Sequence, residues 1–151
     1  MVVSSCASDT GEPTMEYVPP PDGPPAASSE FLAFVDGREY AAWTCELAPH
    51  PAREPSPHGM NRICQNSIAT AARDGSGPWP VGAASVKEQY DGGGNVFAFE
   101  ISLKERSGSG PEAWRFWRGQ GTRVTNDAVG ASFCSNCHEG ADRDFVFTVV
   151  R

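Results

Sequence analysis

Residues 83–105 read AASVKEQY, then DGGGN, then VFAFEISLKE. The first run alternates in the manner of a strand, and the third places Phe97, Phe99, Ile101 and Leu103 two apart, so that they share one face. Between them Asp91-Gly92-Gly93-Gly94-Asn95 holds residues that accept the backbone angles of a reversal at little steric cost. This spells a β-hairpin, and the hairpin decides the fold class. Working outward, residues 113–118 carry Trp114, Phe116 and Trp117 and form a further strand, and Phe145-Val146-Phe147 near the end reads as another. Upstream, residues 43–47 form a strand, and residues 62–73, with Ile63, Ile68 and several alanines, read as a helix. Ser29 caps a short helix carrying Phe31, Leu32, Phe34 and Val35, which Asp36-Gly37 stops. Antiparallel strands with short helices make the chain α+β.

The chain has 151 residues, enough for one domain and its core. Residues 1–28 are rich in Pro, Ser, Gly and acidic side chains and read as a disordered linker; the folded domain is expected at 29–151. A formal net charge of −7 leaves no basic face to neutralise phosphates, so nucleic acid is excluded as a partner. No apolar run approaches the roughly 18 residues that a membrane-spanning helix needs. Val3-Ser4-Ser5-Cys6 resembles the end of a bacterial lipoprotein signal, which would make Cys6 a lipid anchor and the Pro-rich arm its tether; the alternative is an ordinary residue of the arm. Of the five cysteines, Cys45 and Cys64 either close a loop, with a gain of roughly 3 kcal/mol, or remain buried thiols.

Cys134-Ser135-Asn136-Cys137-His138 is the Cys-x-x-Cys-His attachment signature for c-type haem. Two thiols at this spacing on a helical turn reach the two vinyl groups of one haem, and His138 follows as the iron's proximal ligand. Two other chemistries use the same residues. One is a structural zinc site completed by Cys45 and Cys64, the other a redox-active dithiol with an incidental histidine. Residues 139–151 hold neither Met nor His, so a second axial ligand would come from His50, His58 or Met60 in a Pro-rich loop. The reading favours an open iron face, with surface positions for those histidines. Arg62 and Asn66 are candidates either for holding haem propionates or for capping and surface roles.

The order of features resembles the cytochrome P-460 and cytochrome c′-beta family over most of residues 58–148. The residues that carry this are NSIATAARDG at 66–75, Pro78-Trp79-Pro80-x-Gly82, Lys87, FAFEISLK ending at Lys104, Trp114-x-Phe116, the Cys134 to His138 site, and Asp144-Phe145-Val146-Phe147-Thr148. The resemblance implies an exported, periplasmic or membrane-tethered, largely β-structured protein with one covalently attached haem c, commonly a homodimer. It further implies oxidation of hydroxylamine with transfer of electrons to an acceptor protein. In such members a lysine bonded to the macrocycle is similar in position to Lys87, and a pocket carboxylate to Glu100. Cytochromes c′-beta share the fold and bind nitric oxide behind a phenylalanine shield; a plain electron carrier is a third possibility.

The hairpin supplies a physical test of the Lys87 and Glu100 assignment. With a five-residue loop, Tyr90 faces Val96 and regular pairing sets Lys87 against Phe99, on the opposite side of the sheet from Glu100. One bulge, or a four-residue loop, brings the two side chains to the same side. Otherwise both residues belong to an ordinary solvated strand face.

Overall fold

A computed structural model describes residues 16–54, 56–146 and 148–150. The expectations for Cys6 and the start of the Pro-rich arm, and for Phe147, lie outside these residues. Strands β1 (Thr44–Cys45), β2 (Asn61–Gln65), β3 (Ala84–Tyr90), β4 (Val96–Lys104), β5 (Trp114–Gln120) and β6 (Arg123–Val129) form one six-stranded sheet. Each strand runs antiparallel to its neighbour in sequence. Helices α1 (Phe31–Asp36), α2 (Ser67–Ala71) and α3 (Ser132–His138) are short. The α+β reading therefore holds.

The hairpin turns where its composition demands. The Asp91 carboxylate accepts from the backbone N–H groups of Gly93 and Asn95, both at 2.9 Å, and Gly94 takes a left-handed φ of 80°. Tyr90 faces Val96, as in a five-residue loop, but the register shifts between Gln89 and Tyr90. Phe97 is the additional residue on β4. Beyond it Gln89 faces Ala98 and Lys87 faces Glu100 directly. Phe97 consequently leaves the face expected for it and lines the cavity described below.

Several expectations are corrected. Residues 62–65 are strand rather than helix, because β2 pairs with β3 along its whole length; the helix begins only after Asn66, whose side chain accepts from Ala69 N at its first turn. Residues 43–47 yield a two-residue strand. Among the described residues the expected C-terminal strand reduces to one bridge between Arg143 and Val146, since Asp144 and Phe145 adopt positive φ values of 37° and 65°, which break an extended run. β6 lacked an apolar alternation to betray it: it is a polar edge strand. The domain also begins earlier than residue 29. Tyr17 is 3% exposed and donates to the Pro24 carbonyl, and Trp43 donates its indole N–H to the Asp22 carbonyl. A proline-rich segment loses little further entropy on docking, and here the Tyr17 ring, the Asp22 carboxylate that accepts from Ser67 and the Glu16 carboxylate that accepts from Ser107 hold it.

Strand alternation gives the sheet two different faces. On one, α1 and the following turn place Phe31, Phe34, Val35, Tyr40 and Trp43 against Val86, Ile101, Leu103 and Trp117. Burial of each such side chain contributes about 1.5–3 kcal/mol. Glu88 lies buried on this face and accepts from Arg38, Tyr40, Arg62 and Tyr90. The cross-strand pair Cys45 and Cys64 forms a disulfide on the same face. The opposite face carries Lys87, Gln89, Glu100, Phe116 and Arg118 and forms the floor of the site.

Candidate functional site

A cavity of ≈ 1180 Å³ lies over that second face. This exceeds the roughly 300–1,000 Å³ typical of small-ligand pockets. Its floor is Lys87, Gln89, Glu100, Phe116 and Arg118; α3 brings Cys134, Cys137 and His138 to the wall; the loop before β2 brings His58. Lys87, Glu100, Cys134, Cys137 and His138 therefore line one space, as does His58, whereas His50, Met60, Arg62 and Asn66 do not line it.

On the wall, Cys134 and Cys137 are unbridged thiols. Burial pushes the Cys134 thiol up, the reverse of what a dithiol nucleophile needs. The thiols of Cys45 and Cys64 are joined to each other across the other face of the sheet, which removes them as zinc ligands. His138 Nδ1 lies 2.8 Å from the Phe145 carbonyl oxygen. A carbonyl only accepts, so Nδ1 carries the proton and the ring's lone pair is on Nε2, the tautomer suited to binding a metal. Phe116 packs against the imidazole with ring centroids 5.2 Å apart, and burial holds the His138 pKa below its ordinary value. Thiol spacing, imidazole tautomer and cavity volume all fit a covalently attached haem.

The floor is a charge cluster. Glu100 lies 3.8 Å from Lys87 Nζ, 3.3 Å from Arg118 Nε and 3.1 Å from His58 Nδ1, and accepts from Gln89 Nε2 at 3.1 Å. Gln89 in turn accepts from Arg118 at 3.1 Å. Burial alone would raise the Glu100 pKa; the His58 hydrogen bond and the Lys87 and Arg118 charges outweigh it and hold the carboxyl below its usual range. Burial pushes the Lys87 ammonium down, with Glu100 opposing.

His58, expected at the surface, is a cavity residue. Gln89 and Arg118 were not anticipated, although Gln89 shares the alternation of Lys87, and Arg118 pairs with Glu100 once β5 is in register. Arg62 and Asn66 serve the scaffold: Arg62 pairs with Glu88 on the other face, and Asn66 caps α2. No protein-family model matches the chain, and no curated protein matches it.

Proposed function

We propose that the chain is an exported, mono-haem c-type cytochrome that oxidises hydroxylamine, as its resemblance to cytochrome P-460 implies. The observation that carries this reading is the direct cross-strand pairing of Lys87 with Glu100 on the cavity floor. Without the bulge at Phe97 the pair would be split between two faces.

Cys134 and Cys137 would hold the haem by thioethers, and His138 would ligate its iron through Nε2. When bound, haem would supply the redox centre and a site for a small nitrogen ligand, a reading that requires His58, which lines the cavity beside Glu100, not to take that position. Oxidation of hydroxylamine to nitrous oxide releases protons with the electrons. Glu100 is placed to receive those protons, with His58 Nδ1 3.1 Å away and itself 2.9 Å from Gln89 Nε2. Lys87 stands ready for the macrocycle bond that the resemblance implies. The Cys45–Cys64 disulfide supports an oxidising compartment, hence export. An acceptor protein would take the electrons, and a homodimer is the expected assembly.

A second reading, a nitric oxide binder, draws on Phe97, 39% exposed and lining the cavity in the manner of a phenylalanine shield. Intact mass and optical spectra of haem-matured protein, before and after hydroxylamine, separate the readings. The expected result is one haem gained, a red-shifted reduced Soret band and turnover with an oxidant. A high-spin spectrum that responds to nitric oxide alone would favour the binder, a low-spin spectrum indifferent to both would favour an electron carrier, and absence of covalent haem would refute all three.

A further inference from the structure

We propose that Lys104 and Asp144 are a positioning pair for His138, acting through the carbonyl of Phe145; this rests on His138 being the axial ligand. Lys104 ends β4 with its side chain fully buried, and its Nζ lies 2.6 Å from Asp144 Oδ2. The same ammonium donates to the Gly108 carbonyl and sits 5.0 Å over the Trp114 ring. Asp144, 4% exposed at its side chain, also accepts from Trp79 N at 2.9 Å and from Trp114 Nε1 at 3.4 Å. Every polar partner of this carboxylate thus belongs to the sheet end or to the turn before β3.

An ion pair in such surroundings is costly to desolvate, and two apolar residues would pack there as well. Its product is local. Asp144 and Phe145 both stand at positive φ, 37° and 65°, a conformation that non-glycine residues hold only when their surroundings over-determine it. That left-handed pair turns the Phe145 carbonyl toward His138 Nδ1, 2.8 Å away. The sequence of causes runs from buried charge pair to strained turn, from turn to carbonyl, and from carbonyl to imidazole tautomer. Hydrogen bonds of this kind orient axial histidines and raise their basicity. Lys104 and Asp144 are therefore the anchor of the proximal side, although neither lines the cavity.

The test uses the full chain labelled with ¹⁵N-histidine, before and after haem attachment, comparing the parent with Asp144→Asn and with Lys104→Met/Asp144→Leu, an apolar pair chosen to keep the volume filled. Glu105→Gln is the control: it removes the charge from another buried pair, Glu105 with Arg115 at 2.6 Å, whose side chains bond neither Asp144 nor Phe145 among the described residues. In the haem-free parent, His138 should be a single Nδ1–H tautomer. In both Asp144 variants its tautomer ratio should fall about tenfold, the weight of one hydrogen bond, while Glu105→Gln leaves it unchanged despite a lower urea midpoint. In the haem-loaded chain, the iron–His138 stretching band should move to lower frequency in the Asp144 variants alone. An unmoved tautomer in either folded Asp144 variant, or a mixed tautomer in the parent, overturns the proposal. A tautomer shift in a chain that takes up no haem upholds the positioning while refuting the haem reading; a loaded chain with an unmoved tautomer does the converse.

Discussion

Glu100 is surrounded by groups that oppose its burial: desolvation pushes its pKa up, and His58, Lys87 and Arg118 hold it below the ordinary carboxyl value. Lys87 is in the reverse position, pushed down by burial and held up chiefly by Glu100. The two residues therefore set each other's charge. Glu100→Gln should lower the Lys87 pKa further, observable at its ¹⁵Nζ in the haem-free chain. In the loaded chain it should cut hydroxylamine turnover by roughly 10²–10⁴ with thioether formation intact, the usual weight of a lost general base. Unchanged turnover would remove Glu100 from the chemistry. At this scale the candidate group on the cavity wall was legible, because Cys134, Cys137 and His138 follow one another along one short helix. The environment of Glu100 was not, because its partners come from β3, β5 and a loop, and their approach depends on register.

Among the elements, the hairpin was the most readable, since its alternation and its glycine loop agree with one another. Its consequence turned on one residue that alternation cannot reveal: Phe97 bulges, and every cross-strand pair beyond the bulge, on the side away from the loop, changes partner accordingly. β2 was misread because alanines downstream suggested a helix, whereas Asn66 divides the segment into strand and helix. The loop between β1 and β2 delivers His58, and the Cys45–Cys64 bridge closes its base. Glu46 reinforces it by accepting from Arg53 at 2.6 Å and from Ile63 N at 2.9 Å. Replacing both cysteines by serine should cost about 3 kcal/mol of stability in urea unfolding. The same variant should speed amide exchange in residues 46–60 without changing attachment at Cys134 and Cys137. Equal protection of that loop in both proteins would show that the bridge does not restrain it.

Across the whole molecule, four carboxylates among the described residues, Glu46, Glu88, Asp91 and Glu100, are held below their ordinary pKa: burial pushes the three glutamates up, and hydrogen bonds and neighbouring arginine and lysine charges outweigh it, while Asp91 is lowered by the backbone N–H groups of its own loop. A carboxylate depressed in the folded state binds its proton later than it does in the unfolded chain. Its contribution is complete above the unfolded value of about 4.3 and is lost as pH falls through the lower folded values. The urea midpoint should therefore be level near neutrality and drop steadily below about pH 4.3. Glu88→Gln, which leaves the partly exposed Arg38 and Arg62 without their buried counter-charge, should lower stability by about 1.5–3 kcal/mol and flatten that drop. A midpoint insensitive to acid would contradict the buried charge clusters. The sequence by itself determined the antiparallel α+β class, the cysteine pair and the following histidine, because periodicity, turn chemistry and ligand spacing are local properties of a chain. Only the tertiary structure decided that Tyr17 belongs to the core, that His58 and Arg118 meet Glu100, and that Lys104 holds Asp144. These depend on which strands pair and in what register, and a single bulged residue is enough to change the answer.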